Sequence, residues 1–217
     1  MKIAAMVLAA GASTRMGRTK QLLPYREETL VRWAARTALA SVCSPVLAVL
    51  GARSELVAAE LKDLPVLLLE NPQWVEGMGS SVRCGIQAAL ALEPNLDAVV
   101  LLLADQPHVT AATINRLVAA AQKSTRPIIA SAYSNTLGVP ALFTRAVFDQ
   151  LKNLPSPWGA KKLIAAGGDR VLAVPAPEAA CDIDTPENYR DLNATTTYVK
   201  TTPFQRTPAP GGTGLRH

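Results

Sequence analysis

The stretch IAAMVLAAGASTRMGRTK, residues 3–20, decides the interpretation of the whole chain. Its first seven residues, Ile3–Ala9, are small and apolar, as in a buried β-strand. Two glycines, Gly11 and Gly17, and three basic residues follow at once, which indicates a loop with accessible backbone N–H groups and positive charge. Such a loop can bind an anion, and a polyphosphate suits it. A flexible turn with solvated charges explains the glycines equally well.

The rest of the chain alternates short apolar runs with amphipathic stretches, which predicts an α/β protein with a Rossmann-like three-layer fold and a mostly parallel central sheet. The predicted strands are residues 3–9, 45–50, 65–70, 97–104, 127–133, 139–144 and 170–175. The predicted helices are residues 29–42, 54–62, 80–92, 111–123 with Thr110 as N-cap, 146–151 and 159–165. Ligands of such sheets bind beyond the carboxyl ends of the strands.

Length and composition indicate the number of domains, the classes of partner and the compartment. The 217 residues predict one domain, residues 1–192, and a disordered tail, residues 193–217, rich in Thr, Pro and Gly. The formal charge of +5 comes mostly from three basic residues of that tail, so the domain has no basic stripe for nucleic acid. Three scattered cysteines indicate reduced thiols, and no apolar run is long enough for a membrane span. We therefore expect a cytoplasmic protein that binds neither nucleic acid nor membrane.

The glycine loop matches neither a dinucleotide-binding GxGxxG pattern nor a Walker loop, because Gly11 and Gly17 are too far apart and no Gly-Lys-Ser/Thr follows. The small residues from Ala9 to Ser13 allow a ligand to approach the backbone closely. Arg15 adds a two-pronged cation and Lys20 a point charge. The residues thus favour a phosphate site without identifying the ligand.

The full string resembles the signature LAAGxSxRMGxxKxLLP of the MobA-like nucleotidyltransferases, and most closely that of molybdenum cofactor cytidylyltransferases. The resemblance implies that the loop wraps the triphosphate of a nucleotide, and that Arg15 and Lys20 act as catalytic residues that stabilise departing pyrophosphate. It implies nucleotide binding by six residues of the loop: Leu8, Ala9, Ala10, Gly11, Ser13 and Gly17.

Carboxylates follow two of the later segments. Asp105 comes directly after the apolar run 97–104, in the string DQP, and Asp182 and Asp184 alternate in CDIDTPENY. Helix capping or a turn explains each of them without a ligand. The resemblance instead implies that Asp105 and Asp184 hold Mg²⁺, with Gln106 and Asp182 in support.

Two further segments carry family motifs. In NPQWVEGMGSSVRCG, residues 71–85, the resemblance implies that Ser80 and Ser81 contact the nucleotide base, although capping of a helix explains them too. The form LAAG favours CTP over GTP. In LGVPALF, Gly138 and Pro140 match an acceptor-side element. Residues 156–161, SPWGAK, depart from the GDxGAR that many relatives have on the acceptor side, so the acceptor-side match is partial.

The resemblance implies an Mg²⁺-dependent enzyme that transfers CMP from CTP to a phosphorylated acceptor, the molybdenum pterin cofactor (molybdopterin), with a molybdoenzyme as protein partner. One alternative is a cytidylyl- or guanylyltransferase acting on a sugar or polyol phosphate. Another is a non-catalytic carrier or maturation protein for the molybdenum cofactor, although pure binding does not need two metal-binding carboxylates. A dinucleotide-dependent oxidoreductase is a more distant alternative.

Overall fold

The structure is a computed structural model, and it describes residues 1–200. Its strands are β1 Ile3–Ala9, β2 Pro24–Tyr25, β3 Glu28–Thr29, β4 Val46–Leu50, β5 Leu67–Glu70, β6 Ala98–Leu103, β7 Ile128–Tyr133, β8 Thr136–Thr144 and β9 Val171–Pro175. Its helices are α1 Leu30–Leu39, α2 Ser54–Ala59, α3 Met78–Leu92, α4 Ala111–Gln122, α5 Phe148–Lys152, α6 Ala160–Ala166 and α7 Pro186–Lys200. No helix in this described part is long and apolar enough to cross a membrane.

Seven strands form one sheet in the order β5-β4-β1-β6-β8-β7-β9. Parallel pairing joins β1 to β4 and β6, β4 to β5, and β7 to β9, whereas β8 runs antiparallel to both β6 and β7. The sheet is therefore mostly parallel, as predicted. β1 lies between β4 and β6, with Leu8 opposite Val49 on one side and Leu103 on the other. The ends of β1 and β6 consequently meet at one edge.

Helices cover both faces of the sheet, which gives the predicted three layers. Side chains of β1 alternate between two cores, because successive residues of a strand point to opposite faces. Ala5 and Val7 pack on the face covered by α1, α2 and α4. Ala4 and Met6 pack on the face covered by α3, α5 and α6. Helix α4 begins as expected, with the Thr110 hydroxyl accepting a hydrogen bond from the Thr113 N–H.

The turn between β7 and β8 is tighter than the sequence predicts. Residues 134–138 were expected to form a loop before a strand at residue 139, but β8 already begins at Thr136. Only Ser134 and Asn135 form the turn, and both have positive φ, 45° and 56°. Two such residues match a type I′ turn, whose twist suits a two-residue hairpin. The strand prediction was therefore too short at this end, and β2 and β3 were not predicted.

A small third cluster of apolar residues holds α7 against the segment that follows β1. Its buried members are Met16, Leu23, Tyr25, Leu30, Ile183 and Leu192. The Tyr189 hydroxyl also donates to the Pro24 carbonyl oxygen over 2.7 Å. Helix α7 continues to Lys200, past Leu192, where the sequence predicts the domain to end. The remainder of the predicted tail, residues 201–217, lies outside the described residues.

Truncation of Ile183 tests this third cluster. The side chain is fully buried, so Ile183→Ala should lower the free energy of unfolding by about 2–5 kcal/mol through lost burial and a residual cavity. Urea unfolding would measure the difference. Val42→Ala is the matched control, because Val42 is 64% exposed and its truncation should change stability by less than about 0.5 kcal/mol. Equal losses in the two variants would contradict the packing described here.

Candidate active site

The glycine loop and Asp105 lie together at the carboxyl edge of the sheet. The loop leaves β1 at Ala10, and Asp105 follows the neighbouring strand β6, whose last residue is Leu103. The first turn of the loop is a short helical segment, Thr14–Met16, bounded by Ser13 and Gly17, both with positive φ. This edge is the place where ligands of parallel sheets bind.

The loop is anchored by a buried methionine between exposed residues. Met16 is 5% exposed and packs in the third cluster, whereas the Arg15 side chain is 71% exposed and forms an ion pair with Asp184. One buried side chain therefore sets the direction in which its charged neighbour points.

Lys20 brings the two predicted metal ligands together. Its Nζ donates to Asp105 Oδ2 and, over 2.9 Å, to Asp184 Oδ1. The second oxygen of Asp184, Oδ2, accepts a hydrogen bond of 2.8 Å from Arg15 Nη2. Four residues predicted from three motifs therefore form one charged cluster: Arg15, Lys20, Asp105 and Asp184.

Contacts within the cluster favour the charged forms of Lys20 and Asp184. Burial alone would lower the pKa of Lys20, but the carboxylates of Asp105 and Asp184 outweigh it and raise that pKa above its usual value. Burial alone would raise the pKa of Asp184, but hydrogen bonds and charges of Lys20 and Arg15 hold it below its usual value. Two anions and two cations thus balance each other at this edge.

Backbone contacts fix Asp184 in place. The N–H of Ile183 donates to the Asp105 carbonyl oxygen over 3.0 Å, which joins the two carboxylate-bearing segments directly. The Asn188 carboxamide oxygen accepts from the Asp184 N–H over 3.3 Å and from the Thr185 N–H over 3.1 Å. Asp184 therefore lies on a segment that hydrogen bonds hold on both sides.

A cavity of about 340 Å³ opens beside this cluster. The predicted catalytic residue Lys20 and the predicted metal ligand Asp105 line it, together with four predicted nucleotide contacts: Leu8, Ala10, Gly11 and Ser81. Ala9 is buried behind it, and neither Ser13 nor Gly17 borders it. Trp74, Val75 and Met78 also line the cavity. We call these side chains its apolar end, and Lys20 and Asp105 its charged end.

The two predicted base-contacting serines lie in different environments. Helix α3 begins at Met78, so both serines lie in its first turn, and only Ser81 borders the cavity. The Ser80 hydroxyl accepts from Asn71 Nδ2 over 2.9 Å and donates to the carbonyl oxygens of Gln73 and Gly77. Ser80 and Asn71 therefore stabilise the backbone next to the cavity and do not line it themselves. Asn71 was not singled out from the sequence.

The segment that departs from the family motif lies against the start of α3. The Ser156 carbonyl oxygen accepts a hydrogen bond of 2.9 Å from the Gly79 N–H. Gly77 has a φ of 118°, and a Cβ there would lie 2.6 Å from the same carbonyl oxygen. A glycine is thus required at residue 77 by both backbone angle and space. The departing residues consequently lie next to the apolar end of the cavity.

The predicted acceptor-side and supporting residues, Gln106, Gly138, Pro140 and Asp182, are not among those that line the cavity. Gln106 Nε2 donates to the carbonyl oxygens of Val139, over 3.2 Å, and Ala179, over 2.9 Å. Through the first of these bonds Gln106 contacts the segment of β8 that contains Gly138 and Pro140, both buried. Loss of hydration and the charge of Asp105 raise the pKa of Asp182 to about 6.

The donor set fits a magnesium ion that takes most of its ligands from elsewhere. Asp105 is buried, and its Oδ1 has no hydrogen-bond partner among the described residues, which leaves a carboxylate oxygen free to coordinate. Within the same residues, no group of three or more His, Cys, Asp or Glu side chains is arranged to hold a metal. Mg²⁺ keeps several water ligands and is held by one or two protein carboxylates together with substrate phosphates, so the pair Asp105 and Asp184 would be sufficient.

A family model described as a MobA-like NTP transferase domain matches residues 5–171. Nicotine blue oxidoreductase of Paenarthrobacter nicotinovorans is 39% identical over 66% of this chain and 67% of its own. Purine catabolism protein PucB of Bacillus subtilis is 32% identical, with 84% and 91% covered. Molybdenum cofactor cytidylyltransferase of Escherichia coli is 23% identical, with 85% and 92% covered.

Solved structures support the same fold. Rv0371c of Mycobacterium tuberculosis is 31% identical, covers 88% of this chain and 97% of its own, and superposes with a TM-score of 0.77. A second structure of that protein, in complex with manganese, is 30% identical, with 88% and 98% covered and a TM-score of 0.72. Asp182 and Asp184 lie beyond the residues that the family model matches, so their place in the site rests on the geometry above.

Proposed function

Because the chain belongs to the MobA-like NTP transferase family, we propose that it transfers CMP from CTP to a phosphorylated acceptor and releases pyrophosphate. The observation that carries the proposal is the position of Lys20, which bonds both Asp105 and Asp184 at the charged end of the cavity. A nucleotide in this cavity would place its triphosphate against that cluster and its base toward the apolar end.

The residues support in-line displacement without a general base. An acceptor phosphate is already ionised near neutral pH, so it can attack the α-phosphorus directly, and the protein mainly positions and neutralises charge. Lys20 and Arg15 would stabilise the negative charge of departing pyrophosphate. Asp105 and Asp184 would hold Mg²⁺, which when bound neutralises phosphate charge as a Lewis acid.

CTP is the proposed nucleotide. The string Leu8–Gly11 has the LAAG form that favours CTP in the resembling family, and Leu8, Ala10 and Gly11 border the cavity. Ser81 supplies a hydroxyl group at the cavity wall and is the better placed of the two serines to contact the base. The cytidylyltransferase named above supports the same choice, although its identity to this chain is modest.

The proposed acceptor is the molybdenum pterin cofactor, in a cytoplasmic protein that delivers its product to a molybdoenzyme. The support is the name of the Escherichia coli relative and the acceptor-side match at Gly138 and Pro140. The departure at residues 156–161 leaves a sugar or polyol phosphate as the alternative acceptor.

A second candidate function is an oxidoreductase. It is favoured by one observation, the 39% identity to a relative that is named nicotine blue oxidoreductase. Such an enzyme would use the same cavity for a nicotinamide dinucleotide, with the loop on its pyrophosphate. The two candidates differ in what is released, since only the transferase liberates pyrophosphate.

One assay separates these functions. The purified protein is incubated with magnesium, each of the four ribonucleoside triphosphates and either the molybdenum-loaded pterin or sugar phosphates, and pyrophosphate is measured. We expect pyrophosphate release only when CTP and the pterin are both supplied, and no release from the Asp105→Ala variant. Release only with a sugar phosphate would replace the acceptor. Binding of nucleotide without turnover would favour a carrier, and oxidation of a reduced nicotinamide dinucleotide by a dye would favour the oxidoreductase.

A further inference from the structure

Gln21 lies beneath the glycine loop, although no motif assigns it a role. Its side chain is 2% exposed, and all of its polar atoms contact the loop. Nε2 donates to two backbone carbonyl oxygens, that of Gly11 over 2.8 Å and that of Ala9 over 3.2 Å. Oε1 accepts a hydrogen bond of 3.1 Å from the Ser13 hydroxyl. One buried carboxamide thus bonds three residues of the loop.

The contact extends to the catalytic lysine. The Ser13 hydroxyl group donates to Gln21, and it also accepts a hydrogen bond of 3.0 Å from the backbone N–H of Lys20. The beginning and the end of the loop are therefore joined through Ser13 and Gln21. A change in the carboxamide would shift the backbone from which the Lys20 side chain reaches Asp105.

Peptide geometry determines where the loop N–H groups point. In a trans peptide the C=O and the following N–H point in opposite directions. The carbonyl oxygens of Ala9 and Gly11 point at Gln21, so the N–H groups of Ala10 and Ala12 point away from it. Both alanines line the cavity. In the described part of the chain, no group accepts a hydrogen bond from the Ala12 N–H.

We propose that Gln21 is a positioning residue, which turns the loop carbonyls inward so that backbone N–H groups are presented to the phosphates of the bound nucleotide. The proposal rests on the proposed nucleotide transfer for its ligand. Without the carboxamide, the carbonyl oxygens of Ala9 and Gly11 lose their donor, and the peptides are free to rotate their oxygens toward the anion. A carbonyl oxygen facing a phosphate repels it, so the defect should grow with the number of phosphates.

Gln21→Met tests this role, because it keeps the length and burial of the side chain and removes both polar ends. Binding of CTP, CMP and inorganic tripolyphosphate, each with Mg²⁺, would be measured by calorimetry. We expect affinity to fall at least about tenfold for CTP and tripolyphosphate and less than about twofold for CMP. The KM for CTP should rise by the larger factor, whereas kcat should change less. Gln150→Met, at an exposed glutamine of α5, should change none of these.

A folded Gln21→Met protein that binds tripolyphosphate within twofold of the unchanged protein would overturn the proposal. Equal losses for CTP and CMP would also overturn it, since they would indicate general damage to the cavity. If Gln21→Met does not fold, Ser13→Ala removes only the hydroxyl link and should weaken tripolyphosphate binding about threefold. Unchanged binding there would refute the inference.

The nucleotide assignment can fail separately. The unchanged protein could bind tripolyphosphate but not CTP. In that case the proposed nucleotide is wrong, but weaker tripolyphosphate binding by Gln21→Met would still support the role of Gln21. If the unchanged protein binds neither tripolyphosphate nor CTP, the loop is not a phosphate site, and both the role of Gln21 and the proposed nucleotide transfer are wrong.

Discussion

Replacing Asp105 with asparagine is expected to lower kcat/KM for nucleotidyl transfer by about 10³-fold, which corresponds to about 4 kcal/mol of transition-state stabilisation. The amide keeps the size of the side chain but removes the charge that would coordinate magnesium through the unpartnered Oδ1. Lys20 retains its second partner, Asp184, so the fold should persist. The effect should therefore be chemical rather than structural.

Steady-state kinetics with pyrophosphate detection would measure the loss, and a thermal melt would check the fold. Asp63→Asn is the matched control, because Asp63 pairs with Arg32 at an exposed position away from the cavity. That substitution also removes one carboxylate charge, yet it should leave kcat/KM within about twofold, since exposed ion pairs contribute little. If Asp105→Asn kept more than a tenth of the activity, Asp105 would not be a metal ligand.

Lys20→Met is expected to lower kcat by about 10²- to 10³-fold while KM for the nucleotide rises less than about tenfold. The ammonium group is proposed to neutralise charge that develops on pyrophosphate as it leaves, so its contribution belongs mainly to the transition state. Methionine fills the same volume without the charge. Equal losses in affinity with an unchanged kcat would refute this role.

Two further variants sharpen the lysine test. Lys20→Arg keeps the charge but has a broader, planar head group, so it should recover only part of the lost kcat. Lys123→Met, at the exposed end of α4, removes a lysine far from the cluster and should leave both constants unchanged. Rescue by arginine to full activity would indicate that any positive charge at this edge suffices.

The sequence predicted the layers of the fold well because each strand is an apolar run bounded by turn residues. The mostly parallel sheet was predicted, but the antiparallel direction of β8 was not, since nothing in the string of β8 distinguishes an antiparallel strand from a parallel one. The hairpin of β2 and β3 was missed because two-residue strands have no periodicity to detect. The fold class and family are confirmed by the sheet and the comparisons.

Site residues that belong to long sequence motifs could be predicted, whereas residues outside such motifs could not. Arg15, Lys20, Asp105 and Asp184 came from three separate strings, and the structure brings them together, although their catalytic roles stay predictions. The family motif predicted that both Ser80 and Ser81 contact the base, but only Ser81 borders the cavity, because neighbouring residues of a helix point about 100° apart. Gln21 was missed because a buried glutamine has no spacing rule. Its polarity beside the apolar Leu22-Leu23-Pro24 was the one available signal.

The order in which the chain is synthesised bears on when this protein can work. Lys20 reaches Asp105 across 85 residues and Asp184 across 164 residues. Such long separations are closed late, after local helices and neighbouring strands have formed. A nascent chain that ends before Ile183 can pair β1 with β4 and β6 and still lack the segment that delivers Asp184. The cluster of charges therefore forms only when the last part of the domain has docked, so a chain that ends before Ile183 lacks one of its four members even where its sheet is already folded.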